Sequence, residues 1–124
     1  SWREVWITDL VATSTLVGVV AVLDAVADPA GYWGEVSPGT CAIDLRIADA
    51  SQLRKGYGTV MMKHAIDRCF HVHSAHTILI DPLAEKDGAI SSHQHLGFEV
   101  IGPRTFRADR CIVLRLRRPD SRCD

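Results

Sequence analysis

The sequence predicts an α/β domain, a mixed α+β sheet with two helices, from three observations. Stretches rich in β-branched and apolar residues alternate with turn residues along much of the chain. After Gly58 the apolar period changes from two residues to that of a helix. Gly56-Tyr57-Gly58 stands at that change of period, where a strand would hand over to a helix.

Taken in order, Glu4 to Leu10 reads as a strand because Val5-Trp6-Ile7-Thr8 is β-branched and aromatic. Thr15 to Leu23 is almost unbroken apolar sequence, which a strand shows when both of its faces are covered or when it lies centrally in a sheet. Residues 25 to 40 contain Pro29, Gly31, Gly34, Pro38 and Gly39 and are expected to loop. Ala42 to Ala48 alternates, with Ile43, Leu45 and Ile47 on one face and Asp44 and Arg46 on the other. From about Gly56 to Phe70, Met61, Ala65 and Cys69 recur at helical spacing while Lys63, Asp67 and Arg68 keep the opposite side polar. His76 to Ile80 is a further strand ended by Asp81-Pro82, and Glu85 to His95 forms a helix closed by Gly97. Phe98 to Ile101 and Phe106 to Leu116 complete the sheet as an antiparallel pair. The expected order is β-β-β-α-β-α-β-β in one domain spanning residues 1–124, with no internal repeat.

Composition narrows the function classes. The longest apolar run, Leu16 to Leu23, is too short to span a bilayer, which needs about 20 helical residues. With no basic-then-apolar leader and no CxxC pair, Cys41, Cys69, Cys111 and Cys123 read as free thiols of a cytoplasmic protein. Residues 1–50 carry two bases against seven acids, a net −5, and residues 51–124 carry twelve bases against eight acids, a net +4. Such a division suits a site that meets a cation on one side and an anion on the other; an uneven surface is the plain alternative. The basic tail Arg115 to Asp124 lacks interleaved aromatics, so nucleic acid is not expected as a partner. His71, His73 and His76 have metal-like spacing, but no acid or Cys completes a set, and no metal is expected.

A strand-loop-helix junction containing G-x-G can aim several unpaired N–H groups at a phosphate, backed by the positive end of the helix dipole. Arg54 and Lys55 would add charge there. A glycine turn that merely admits close packing has the same sequence, so Gly56-Tyr57-Gly58 alone does not decide. Its setting does more. Between the strands at Ala42 and His76 the loop resembles the pantetheine and pyrophosphate loop of the GCN5-related N-acetyltransferases. "DPLAEKDGAISSHQHLGFEV" resembles their later segment. "SPGTCAID" and "ADASQLRKGYGT" are similar in order and spacing to the aminoglycoside 6′-N-acetyltransferases within that superfamily, and the likeness runs over about residues 14 to 114.

The resemblance implies an acetyl-CoA-dependent N-acetyltransferase of a small, cationic primary amine, aminoglycoside-like and associated with antibiotic resistance. Acetyltransfer to a peptide or polyamine amine, or a non-catalytic acyl-CoA-binding module, are the alternatives. It implies that Ile47 and Ala48 pair with pantetheine through their backbone and supply an oxyanion N–H. Arg54, Lys55, Gly56, Tyr57, Gly58, Thr59 and Lys86 would then complete the CoA site. Asp44 matches the family's acid on its strand and would hold the acceptor amine. Trp33 and Glu35 lie where those enzymes present aromatic and acidic groups to a polycation, core packing being the other reading of Trp33. Three features depart from the family pattern: Leu53 replaces a motif Arg or Gln, Lys86 stands at an Asn position, and His93 stands where a Tyr commonly protonates the CoA thiolate. His93 is therefore either a catalytic acid or a helix-surface histidine. Family members carry a strand and two helices ahead of the strand at Glu4, and the fold is expected to lack them. With Trp2, Trp6 and Leu10 near an open acceptor cleft, a homodimer is the expected cover.

Overall fold

The computed structural model describes residues 3–10, 15–26, 33, 36–47, 57–85, 87–106 and 108–118, with residues 4, 6–10, 15–17, 47, 57 and 87 described by their backbone alone. The chain runs β1 (Arg3–Leu10), β2 (Thr15–Asp24), β3 (Thr40–Ile47), α1 (Tyr57–Asp67), β4 (Thr77–Ile80), α2 (Asp87–His95), β5 (Glu99–Phe106) and β6 (Asp109–Arg117). This is the order expected from the sequence. The strands form a six-stranded sheet in the order β1-β2-β3-β4-β6-β5. Every pairing is antiparallel except β3 with β4, which α1 connects as a crossover.

Most boundaries agree to within two or three residues, and two differ in kind. The first helix does not stay α-helical to Phe70 but passes into a π-helical turn, Arg68–Val72, which buries Cys69 and Phe70 together. β5 does not stop at Ile101: the register shifts between Val100 and Gly102, and the strand continues through Pro103 to Phe106. Gly102-Pro103 looked like a break, yet β5 is the outermost strand on its side, where a proline's missing N–H removes no ladder bond. β1 is the outer strand of the other side. The side chains of Trp6 and Leu10, and all of Trp2, lie outside the described residues.

The core lies on one face of the sheet. Val20, Val22, Cys41, Ile43, Ile78, Ile80 and Leu114 point to it from four strands and meet Met61, Met62, Ala65, Cys69 and Phe98, with Ile66, Ile90 and Leu96 packed around them. Both helices therefore cover the same face. In β2 the consecutive residues Val20, Ala21 and Val22 are all buried, as its unbroken apolar run requires. Strand alternation sends Ala42, Asp44 and Arg46 of β3, Thr77 and Leu79 of β4, and Arg115 and Arg117 of β6 to the opposite face.

The parallel pair is anchored at its start. Gly39 has φ +86°, a left-handed conformation that lets Pro38-Gly39 turn the chain into β3. His76, just before β4, donates its backbone N–H to Gly39 O at 3.0 Å, and its ring Nε2 donates to Pro38 O at 2.6 Å. A Cβ on Gly39 would stand 2.6 Å from His76 Cδ2. Gly39→Ala thus brings both a strained φ and a clash with the ring that sets the β3–β4 register. It is expected to cost about 2 kcal/mol or more in urea denaturation; a loss below about 0.5 kcal/mol would show that the turn does not fix the register.

Candidate active site

The sheet splits between β3 and β4. Their ladder holds Thr40↔Thr77, Cys41↔Ile78 and Ala42↔Leu79, and no further pair is formed among the described residues. Beyond Ala42, β3 stays with β2 as far as Ile47, opposite Gly18. Beyond Leu79, the chain instead follows β6: Ile80 faces Leu114, Leu83 bridges Cys111 in the same register, Ile112 N–H donates to Pro82 O at 3.0 Å and Ala84 N–H to Arg110 O at 2.8 Å. A wedge opens between the two halves of the sheet.

Backbone alternation shows what the wedge exposes. Ala25 N–H donates to Thr40 O at 3.0 Å, so Thr40 directs its polar groups toward β2, and so, by alternation, do Ala42, Asp44 and Arg46. Leu45 and Ile47 direct theirs the other way, into the wedge, past the last rung shared with β4. A buried or half-buried strand edge with open N–H and C=O groups is a template for an extended amide-bearing ligand.

The helix adds an anion-seeking end. Because α1 returns the chain from the end of β3 to the start of β4, its first turn lies at the open end of the wedge, on the core face. That turn, Tyr57-Gly58-Thr59-Val60, contains no acidic residue, and Thr59 and Val60 are exposed. Its N–H groups have no acceptor within the helix. Ala48, Arg54, Lys55, Gly56, Lys86 and Glu35, and the side chains of Ile47 and Tyr57, lie outside the described residues.

On the opposite face, which also carries Arg46, Arg115 and Arg117, each lip of the wedge holds a carboxylate. Asp44 stands on the β3 lip, 52% exposed, and Arg46 Nε is 3.5 Å from its Oδ2. At that exposure the pair is worth little. On the other lip, the register of β4 with β6 places Asp81 level with Val113 and on the same face as Leu79 and Leu83. Asp44 and Asp81 thus flank the wedge on one face. Burial first, and then the negative charges of Asp81 and Asp109, push the Cys111 thiol above its ordinary pKa, with Arg104 opposing them. This gathers Asp81, Asp109 and Arg104 around Cys111. The sequence reading used Asp81 only as a strand terminator, and the signal available for it was alternation continued two residues past Leu79.

Trp33 sits neither in the core nor free. It is half-buried, with the Arg104 guanidinium 5.4 Å from its ring centroid and the same guanidinium 5.8 Å from that of Phe106. Both β5 residues project to the Asp44 face. Of the histidines with metal-like spacing, His71 lies 3.7 Å from Asp67, whereas His76 is committed to Pro38. Among the described residues no group of His, Cys, Asp or Glu is placed to hold a metal ion, and no helix is long and apolar enough to cross a membrane. Cys41, Cys69 and Cys111 are buried thiols outside any disulfide.

His93 has a structural explanation. α2 closes on Gly97, φ +105°, with Phe98 N–H donating to His93 O at 3.2 Å and Gly97 N–H to Gln94 O at 3.0 Å. This is the paired bonding of a Schellman cap, whose flanking residues characteristically touch. Phe98 and His93 do so edge to face, with centroids 6.0 Å apart. His93 Nδ1 is buried with no partner, and burial holds the imidazole below its ordinary pKa. The ring is half-buried and neutral at pH 7, rather than a solvated helix-surface residue.

A split mixed sheet, with an open strand edge in the split and a helix terminus above it, defines an acyl-CoA N-acyltransferase architecture. The family model described as an acetyltransferase (GNAT) domain matches residues 10–106, and the chain belongs to that family. It is similar to an aminoglycoside N(6′)-acetyltransferase type 1 of Klebsiella pneumoniae, 36% identical over 76 residues, or 60% of this chain and 38% of that protein. It is also similar to a kanamycin resistance protein of Rhizobium radiobacter, 35% identical over 77 residues, or 60% of this chain and 71% of that protein. The crystal structure of aminoglycoside acetyltransferase AAC(6′)-Ib with coenzyme A and kanamycin superposes with a TM-score of 0.79 at 27% identity, covering 94% of this chain and 67% of that one. A spermidine N-acetyltransferase of Vibrio cholerae shares the fold, with a TM-score of 0.70 at 17% identity over 93% of this chain. The chain spans about two fifths of the length of the Klebsiella enzyme.

The environment of His93 gives a pH signature. Its folded pKa lies below the unfolded value of about 6.5, so between the two the unfolded chain binds the extra proton. The stability this contributes is full above about pH 6.5 and is lost as pH falls below it. Urea midpoints are expected to drop between pH 7 and pH 5, and the drop to shrink in His93→Phe. An equal drop in both proteins would mean that the ring is solvated.

Proposed function

We propose that this chain carries the catalytic core of an acetyl-CoA-dependent N-acetyltransferase, and that its acceptor is a primary amine of the aminoglycoside kind, acetylated at the 6′ position as a resistance reaction. The observation that carries this reading is the wedge: an open β3 edge for an amide-bearing chain, with carboxylates on both lips of one face to receive an ammonium.

The residues divide the work between two sides. On the core side, the first turn of α1, with Tyr57, Gly58 and Thr59, holds the pyrophosphate by its N–H groups, and Arg54, Lys55, Gly56 and Lys86 are assigned to the same coenzyme A site from the family resemblance. Leu45 and Ile47 offer backbone groups to the pantetheine amides. One N–H of that edge accepts the role of oxyanion donor as the thioester carbonyl becomes tetrahedral. Acetyl-CoA supplies the activated acyl group. On the acid side, Asp44 and Asp81 attract the acceptor, with Trp33 and Glu35 on the loop ahead of β3. An alkylammonium with a reference pKa near 10.4 must lose a proton before it attacks, and Asp44 holds the ammonium in place while water carries the proton off. The departing thiol has a reference pKa near 8.5, so its thiolate leaves without strong assistance. Neutral His93 is therefore assigned packing rather than proton donation.

Thiol release from acetyl-CoA across a panel of amines tests the reading, and amine-dependent release is the expected result. Coenzyme A binding without release for any amine would favour a non-catalytic acyl-CoA-binding module. Asp44→Asn is expected to lower turnover about a hundredfold or more with coenzyme A affinity unchanged, because the charge acts only on the amine. Gly58→Val is expected to weaken coenzyme A binding at least tenfold, about 1.4 kcal/mol. The opposite pattern, affinity falling in the first variant and holding in the second, would contradict both assignments.

A further inference from the structure

The face of the sheet that carries Asp44 and Asp81 also carries Arg46, Arg115 and Arg117. A cationic acceptor arriving there meets both signs of charge, so the place where each guanidinium is held decides what the acceptor feels. Arg46 lies against Asp44. Arg115 and Arg117 share a different acid: Arg115 donates from Nε and from Nη2 to Glu99 Oε1, each at 2.8 Å, and Arg117 Nε is 3.9 Å from the same oxygen. The Arg115 side chain is only 31% exposed, so its charge-assisted pair is less open to solvent and salt than the Asp44–Arg46 pair.

The sheet register gives this pair a direction. Arg115 faces Leu79 of β4 on one side and Glu99 of β5 on the other. Leu79 is the last β4 residue on the parallel ladder, so its side is the mouth of the wedge, and Glu99 stands on the outer strand, away from it. The ion pair therefore draws the Arg115 head off the wedge. Released, that head can turn the other way, because Asp81 stands about 7 Å beyond Leu79 along its strand and one strand spacing, about 4.8 Å, from β6, within reach of a long side chain. We propose that Glu99 is a positioning residue for the acceptor: it holds Arg115, and Arg117 beside it, over β5, so that the mouth of the wedge receives an amine carrying several positive charges. Glu99 touches neither the acyl group nor the reacting nitrogen; it acts through the two arginines, and more strongly for each further ammonium within a Debye length, about 8 Å in physiological salt. The inference deepens the amine-acetyltransferase reading and rests on it for its meaning, whereas its test reads binding.

The test is a double-mutant cycle on Glu99 and Arg115, read by calorimetric binding of a linear tetra-amine and of a monoamine of equal chain length with coenzyme A present. The quantity followed is the ratio of the two affinities at low salt. Glu99→Gln is expected to lower the ratio for the tetra-amine at least threefold, and the effect to fade in about 0.5 M salt. Arg115→Gln is expected to change the ratio less than about twofold in the parent but to raise it at least threefold in the Glu99→Gln background, because only there has the guanidinium moved. Equal gains in the two backgrounds would make Glu99 and Arg115 independent fixed charges and overturn the proposal. An unchanged ratio in Glu99→Gln overturns it, as does the absence of tetra-amine binding by the parent. A loss that extends to coenzyme A affinity overturns it too, since the damage is then to the fold. Thiol release by the parent keeps the two claims apart: a coupled cycle without acetyl transfer to any amine leaves Glu99 its role and sinks the enzyme reading, whereas transfer with an uncoupled cycle sinks the Glu99 proposal alone.

Discussion

The three-rung parallel ladder between β3 and β4 is the constraint on which the site depends. It is fixed at its start, where His76 clasps the Pro38-Gly39 turn, and it ends at Ala42 and Leu79 because each strand finds a longer partner elsewhere. β3 pairs with β2 through Ile47, and the continuation of β4 pairs with β6 through Ala84. A parallel pair is slightly less stable per residue than an antiparallel one, so where the two compete the antiparallel pairings prevail and the parallel seam opens. The same competition leaves Leu45 and Ile47 with backbone groups turned into the gap.

The helices and charges are arranged around that gap. α1 and α2 both cover one face of the sheet, which gives the domain its core and brings the α1 terminus to the open end of the seam. The other face carries the charged side chains, and strand alternation alone is enough to put Asp44 and Asp81 on it, one on each lip. An anionic ligand on one face and a separate cationic one on the other can therefore meet complementary groups without any side chain crossing the sheet. The charge division of the sequence, acidic ahead of residue 50 and basic after it, is only part of this arrangement, because Asp81 and Asp109 come from the basic half.

Much of the fold was legible because it rests on local patterns. The element order, the covered strand Thr15–Asp24 and the outward Asp44 follow from period-two alternation and unbroken apolar runs, and the end of α2 follows from Gly97. What could not be read depends on pairings between distant segments. Gly102-Pro103 looks like a strand end unless β5 is known to be an edge strand. Asp81 looks like a terminator unless residues 81–84 are known to continue along β6. His93 looks like a surface residue until the Schellman cap folds Phe98 back onto it. Trp33 and Arg104 are 71 positions apart in sequence, and nothing local announces that they stack.

The claim that the opened seam receives the acyl carrier can be measured at single amides. Hydrogen exchange followed by NMR, with and without coenzyme A, resolves the N–H groups of Leu45 and Ile47 from those of Asp44 and Arg46 on the same strand. The former pair faces the wedge and the latter pair is already bonded to β2. Coenzyme A is expected to slow exchange at Leu45 and Ile47 strongly while Asp44 and Arg46 change little. Slowing spread evenly along β3, or none at Leu45 and Ile47 at saturating coenzyme A, would contradict the placement of the ligand in the seam.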